Sequence, residues 1–128
     1  KRNKTESAVR LTYRPRSISS TASEDRQQSI NRARALKRMR IQLALEWRGE
    51  AQPWNGQWNM NQKNHQYSLF IACLLDNLAA FDWQVSEAAT KLNISTGQLI
   101  KLLAKYDPLW QFVNQQRQKH NYKALRRK

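Results

Sequence analysis

The chain has 128 residues, enough for one ordinary domain or two very small ones. It carries 23 Lys and Arg against 9 Asp and Glu, a net charge of +14, so it favours a polyanionic partner such as nucleic acid or an acidic membrane surface. A hydrophobic content of 40% argues against full disorder. No apolar run approaches the roughly 18 to 20 residues that span a bilayer, and no signal peptide is recognisable. We expect a cytoplasmic protein, and of these two polyanions we expect nucleic acid rather than a membrane as its partner.

The first part of the chain predicts a β-hairpin followed by a long basic helix. Residues 9–13 alternate apolar with basic or hydroxyl side chains, the period of a half-buried strand. A turn at Pro15 and a Ser/Thr-rich return strand at 18–22 follow. The segment from Arg26 to about Arg48 lacks Gly and Pro and predicts a helix that residues 23–25 cap. Its apolar stripe is expected to consist of Leu36, Met39, Leu43 and Trp47.

The second half predicts four helices, at 67–80, 86–92, 96–106 and 109–120. Asn93 ends the second of these in the left-handed conformation, and Ser95 caps the third. Asp107-Pro108 opens the fourth. The single cysteine, Cys73, lies on an apolar helix as a core residue, which excludes a disulfide framework and a thiolate metal site.

The predicted fold class is α+β, with four parts along the chain. Residues 1–48 carry +9 and form the hairpin and basic helix. Residues 49–66 are rich in Gly, Pro and Asn and form a linker, part of which is expected to fold back, because tryptophans crowd its start. Residues 67–120 form a small helical module, and residues 121–128 form a basic tail that we expect to fray.

The opening residues carry a motif. Residues 3–12 read Asn-Lys-Thr-Glu-Ser-Ala-Val-Arg-Leu-Thr, and Pro15 and the run Arg26-Gln27-Gln28-Ser29-Ile30-Asn31-Arg32 follow. This order resembles the segment directly after the Gly-Gly-Gln tripeptide of class I peptide chain release factors and related ribosome-rescue hydrolases. The resemblance covers about residues 1–47. Gln27 replaces the family's serine, Ser17 replaces its turn glycine, and the tripeptide itself would end one residue before Lys1.

The resemblance implies a parent protein that hydrolyses the ester of peptidyl-tRNA on the ribosome, in translation termination or codon-independent rescue. In that family the glutamine's backbone N–H helps to position water and stabilise the oxyanion. No catalytic residue is expected within this chain, so by itself it is expected to be inactive. It needs no cofactor or metal and acts as a monomer. Its role would be an RNA-binding scaffold that contacts ribosomal RNA and P-site peptidyl-tRNA through these residues: Lys1, Arg2, Lys4, Arg10, Arg14, Arg16, Arg32, Arg34 and Arg38.

Two other functions are open at this point. Residues 86–99 are similar to a Fis-like helix-turn-helix, which makes a DNA-binding regulator acting through residues 86–106 the main alternative. Against it, Gly97 offers no side chain at the start of the second helix, where bases would be read. A second alternative is an RNA-binding module with no hydrolytic parent. The isolated His65 and His120 do not predict a metal site.

Overall fold

A computed structural model of the chain describes residues 7–127. It has two strands and five α-helices in these residues, which confirms the predicted α+β class. The chain divides into two compact units between Glu46 and Trp47. Within the described residues, no helix combines the length and the apolar character that crossing a membrane requires.

The first unit opens with an antiparallel hairpin of β1 (Val9–Tyr13) and β2 (Ile18–Ala22), as predicted. A 3₁₀ turn, Arg14–Arg16, joins the strands and ends at Ser17 with a φ of 52°. This left-handed conformation costs a non-glycine residue about 1 to 2 kcal/mol, which explains why glycine is the expected residue there. The Ser17 N–H donates to the Arg14 carbonyl at 3.2 Å and closes the turn.

Helix α1 (Gln28–Glu46) packs on one face of this hairpin. Its buried residues Asn31, Ala35 and Met39 recur every four positions. The predicted stripe was therefore wrong at its ends, because Leu36 is 40% exposed and Trp47, beyond the helix, is 43% exposed. The two-stranded sheet is narrow, and the helix approaches it through alanine and asparagine rather than through a row of leucines.

The second unit contains four helices: α2 (Tyr67–Ala80), α3 (Val85–Leu92), α4 (Thr96–Ala104) and α5 (Asp107–Lys119). Each lies within about two residues of its predicted bounds. Their core is built from fully buried leucines and aromatic rings, with these members among the largest: Tyr67, Phe70, Leu74, Leu78, Leu99, Leu103 and Leu109. Burial of each such side chain contributes roughly 1.5 to 3 kcal/mol.

The segment before α2 belongs to this second unit, and part of it folds back on α2 as expected. The rings of Trp54 and Trp58 meet Phe70 edge-on, with centroids 5.1 and 5.9 Å away. The Gln52 carbonyl accepts a hydrogen bond from the buried Asn77 amide at 2.9 Å. These tryptophans therefore pack within the protein rather than offering free faces for base stacking.

The prediction of a frayed C-terminal tail was wrong for residues 121–127. The Leu125 N–H donates to the Asn114 side chain on α5 at 2.7 Å, and Arg127 forms an ion pair with Asp107 at 2.5 Å. The Arg127 guanidinium also lies 5.1 Å from the centre of the Trp110 ring. These contacts hold the segment along α5, although its composition is that of a solvated tail.

Candidate nucleic-acid interface

The first unit presents a surface rich in cations. Residues 7–46 contain eight arginines and one lysine against three carboxylates. All nine cationic side chains are exposed. The hairpin face that packs on α1 carries none of them, because its positions are apolar or hydroxylic. The unit thus has an uncharged core and a surface with more cations than carboxylates, which attracts polyanions.

The expected contact residues lie on three surfaces rather than in one cluster. Arg10 alternates with the half-buried positions of β1 and so lies on the hairpin face opposite α1. Arg14 and Arg16 are on the 3₁₀ turn. Arg32 and Arg34 are on exposed positions of α1. The remaining candidates, Lys1, Arg2 and Lys4, lie outside the described residues.

Arg38, the last predicted contact residue, has a structural partner. Its Nη1 donates to the Thr21 carbonyl at 2.6 Å, and its guanidinium pairs with the Glu24 carboxylate. The hydrogen bond from Arg38 is the main cause that lowers the pKa of Glu24 to about 2, with backbone donors adding to it. Arg38 therefore connects α1 to the end of the hairpin, and it offers less to a ligand than the arginines around it.

Sequence reasoning did not select three further exposed cations as contact residues. Arg26 lies just before α1, and Lys37 and Arg40 lie on it. Arg32, Leu36 and Arg40 are spaced by four residues and form one row along the helix. The exposed leucine between two arginines was missed because a hydrophobic period alone assigns leucine to the core.

A buried asparagine fixes how the chain enters β1. Asn31 on α1 is 0% exposed. Its Nδ2 donates to the carbonyls of Ser7 and Asp25, both at 2.9 Å, and its Oδ1 accepts from the Asp25 N–H at 3.1 Å. Ser7 also donates from its hydroxyl to the Asp25 carbonyl at 2.8 Å. The Asn31 side chain therefore orders the segment before α1 and also holds the start of the described chain.

A second buried hydrogen bond joins the hairpin to the helix. The Ser20 hydroxyl donates to the Ala35 main-chain carbonyl at 2.6 Å. Both residues are small, so β2 and α1 approach closely enough for this bond to form. Together with the Asn31 contacts, it holds the exposed cations of α1 at fixed positions relative to the hairpin.

The helix-turn-helix segment of the second unit has the expected local geometry. Asn93 has a φ of 63°, which ends α3 in the left-handed conformation. The Ser95 hydroxyl accepts from the Gln98 N–H at 3.0 Å and caps α4. Thr96, Gly97 and Gln98 are exposed at the start of α4, and Lys101 is exposed one turn later.

The histidines do not belong to a metal-ligand cluster in the part of the chain that the structure describes. Residues 7–127 hold no group of three His, Cys, Asp or Glu side chains that could bind an ion. His120 stacks on Tyr122 with centroids 6.0 Å apart, and its Nδ1 lies 2.9 Å from the Gln116 carbonyl. His120 is thus occupied by local contacts at the end of α5.

Comparison with known proteins adds no relative. No protein-family model matches the chain, and neither the curated proteins nor the solved structures contain a significant match. The functional argument therefore depends on the residues and their geometry.

Proposed function

We propose that this chain is the RNA-binding scaffold of a release-factor-like protein that acts on the ribosome. The parent protein would hydrolyse the peptidyl-tRNA ester in termination or rescue of stalled ribosomes. The family assignment rests on the motif at residues 3–12 and 26–32, and the hydrogen bond between Asn31 and Ser7, which joins the two segments, supports it.

The observation that carries the proposal is the Asn31 cluster. A scaffold that delivers a reactive loop must control the direction in which that loop leaves it. Asn31 does this for Ser7, because two main-chain carbonyls and one N–H converge on a single buried amide. Asn31 belongs to the second segment of the motif, and Ser7 belongs to the first. The two segments of the resemblance are thus in direct contact.

The charge distribution supports the same proposal. The Asn31 cluster lies where α1 begins, and Arg26 and Arg32 flank it in sequence with exposed side chains. Exposed arginines can contact phosphates along an RNA backbone without reading its sequence. RNA binding around the start of the chain would bring an upstream loop close to the same RNA.

A peptide-release assay tests the hydrolase assignment. The proposal requires Gly-Gly-Gln directly upstream of Lys1 in the gene. A protein that includes this tripeptide should release peptide from ribosomes that hold peptidyl-tRNA in the P site. Changing the second glycine of the tripeptide to alanine should reduce release by at least about tenfold, because glycine allows backbone angles that are closed to other residues, and the 128-residue chain should be inactive. Any other upstream tripeptide, or full release by the 128-residue chain, contradicts the proposal.

A DNA-binding regulator is the second candidate, and the geometry at Asn93 and Ser95 favours it. The exposed Thr96, Gln98 and Lys101 would then contact a duplex. Only Gln98 among these is well suited to pair with a base edge in the major groove. Sequence preference would therefore be weak, which makes this the less favoured function.

A further inference from the structure

The outward side of α4 carries a groove that the proposed RNA-binding scaffold does not use, although the DNA-binding alternative would use Thr96 and Lys101 on its wall. The groove encloses about 480 Å³, and the C-terminal segment contributes to its wall through Arg127. Gly97, Ile100 and Ala104 line it at a spacing of three and four residues, so they form one strip along the helix. Ile100 is half-buried, whereas the leucines on the inner side of α4 are buried.

Gly97 lines this groove and leaves open space beside α4. A Cβ placed on Gly97 would meet no atom within 4 Å, so no neighbour in the chain requires glycine there. Its backbone has no positive φ that would favour glycine. Glycine also weakens a helix compared with alanine. Neither packing nor backbone conformation requires glycine at this position. A partner that approaches α4 closely would require it, because glycine has no side chain.

Three cations line the groove around its apolar strip. They are Lys101, Lys105 and Arg127, and no carboxylate is among the lining residues. Arg127 is held in place by Asp107 and the Trp110 ring. Neither lysine has a salt bridge to any residue that the structure describes. A ligand that fits must therefore combine an apolar surface with negative charge.

We infer that this groove binds an acidic amphipathic helix of another protein. Apolar side chains three and four residues apart on such a helix would meet Ile100 and the spaces at Gly97 and Ala104. Its carboxylates would meet Lys101 and Lys105, since Arg127 already pairs with Asp107. A nucleic-acid backbone fits less well, because its phosphates could pair with the cations but it has no row of apolar side chains to cover Ile100 and the rest of the strip.

A second copy of this chain does not offer the negative charge that the groove requires of a ligand. The sequence carries a net charge of +14, and its nine carboxylates are dispersed among 128 residues. Two such surfaces repel each other. The partner is therefore a different, acidic protein segment, and this inference does not depend on the release-factor assignment.

A synthetic peptide tests the inference with the full 128-residue chain. The probe is a helical peptide of about sixteen residues with leucines at i, i+3, i+4 and i+7 and glutamates at the other positions. Fluorescence anisotropy should show saturable binding, and NMR should place the largest amide shifts at residues 97–105. A peptide with lysine in place of every glutamate should bind at least tenfold more weakly.

Two variants and their matched controls locate the site. G97E fills the groove with a carboxylate, and it should weaken binding at least tenfold, whereas Gly97→Ala should weaken binding by a smaller factor, because a methyl group takes up only part of the space. G97E should still fold, because a glutamate four residues before Lys101 supports the helix. The pair Lys101→Glu and Lys105→Glu should also weaken binding at least tenfold. The charge-matched pair Lys91→Glu and Lys119→Glu, outside the groove, should leave it within about twofold.

Three results would overturn the inference. The first is that the acidic peptide does not bind saturably. The second is that G97E and the Lys101/Lys105 pair bind it as well as the unchanged chain does. The third is that duplex DNA or single-stranded RNA shifts residues 97–105 while the acidic peptide does not, which would assign the groove to nucleic acid.

Discussion

Asn31 shows how one buried polar residue can determine a local fold. Its amide is fully buried, and both ends of the amide are used by main-chain groups. A buried amide without these partners would be costly, so the arrangement is specific to one geometry. The Asn31 side chain thus forms hydrogen bonds with main-chain groups of Ser7 and Asp25, which lie outside β1, β2 and α1.

We expect Asn31→Ala to destabilise the first unit by about 2 to 4 kcal/mol, because it removes three hydrogen bonds to buried main-chain groups. Tryptophan fluorescence cannot measure this, since all five tryptophans lie at positions 47–110, in the second unit. Native-state hydrogen exchange of the Ala35 and Met39 amides is the suitable measurement.

The control for this prediction is Gln28→Ala, an exposed position on the same helix. It should change the exchange free energy by less than about 0.5 kcal/mol. Equal exchange in Asn31→Ala and the unchanged chain would show that the cluster does not stabilise the unit.

At the scale of elements, local signals predicted most of the boundaries. The alternation in 9–13, the left-handed residue at Asn93 and the serine cap at Ser95 all act within a few residues, so the sequence alone reveals them. The face of α1 could not be read in this way. Hydrophobic periodicity places Leu36 on the buried face, whereas the helix packs through Asn31 and Ala35. Which face of α1 is buried depends on its tertiary contacts with the hairpin.

The left-handed conformation of Asn93 at the end of α3 can be tested by substitution. Its φ of 63° allows glycine at no steric cost but costs a β-branched residue about 1 to 2 kcal/mol. Asn93→Val should therefore destabilise the second unit by at least about 1 kcal/mol, and Asn93→Gly should leave its stability unchanged or raise it by up to about 1 kcal/mol. Urea unfolding followed by tryptophan fluorescence measures both.

Lys91→Val is the matched control for Asn93→Val, since it places the same side chain at an exposed position inside α3. It should cost less than about 0.7 kcal/mol, the ordinary range of helix propensities. If valine is tolerated equally well at both positions, the left-handed turn is not a determinant of stability.

At the scale of the whole molecule, the sequence predicted the class of fold and the excess of charge, but not how the cations are distributed. Arg10 and the α1 arginines lie on different sides of the hairpin, which follows only from the packing of α1. The C-terminal segment was also unpredictable, because ring contacts such as Arg127 on Trp110 join residues far apart in the sequence. Composition alone indicates a solvated tail there.

The net charge of the chain predicts how its affinity for ribosomal particles depends on salt. Binding to ribosomal particles should weaken steeply as salt rises, because neutralising phosphates releases counterions. Changing Arg32, Arg34 and Arg40 to glutamine should reduce the slope of log affinity against log salt by about 2 to 3, since each phosphate that is no longer neutralised lowers it by roughly 0.7 to 0.9. Pelleting of ribosomes with the chain at several salt concentrations measures the slope.

A charge-matched triple variant in the second unit provides the control for this measurement. Changing Lys63, Lys119 and Lys123 to glutamine should leave the slope nearly unchanged, although the net charge falls equally. Tight binding to duplex DNA with a sequence preference, and none to ribosomes, would instead favour the DNA-binding alternative.

The hydrogen bond between Asn31 and Ser7 also limits how far the upstream chain can reach. Six residues precede Ser7, and a fully extended chain covers at most about 3.6 Å for each of them. A residue directly upstream of Lys1 is seven steps from Ser7, and the Ser7 carbonyl lies 2.9 Å from the Asn31 amide, so that residue is tethered within about 30 Å of the amide whatever its conformation. If a reactive glutamine occupies that position, the acceptor end of the tRNA must come within the same radius, and crosslinks from Ser7 should map to its immediate neighbourhood.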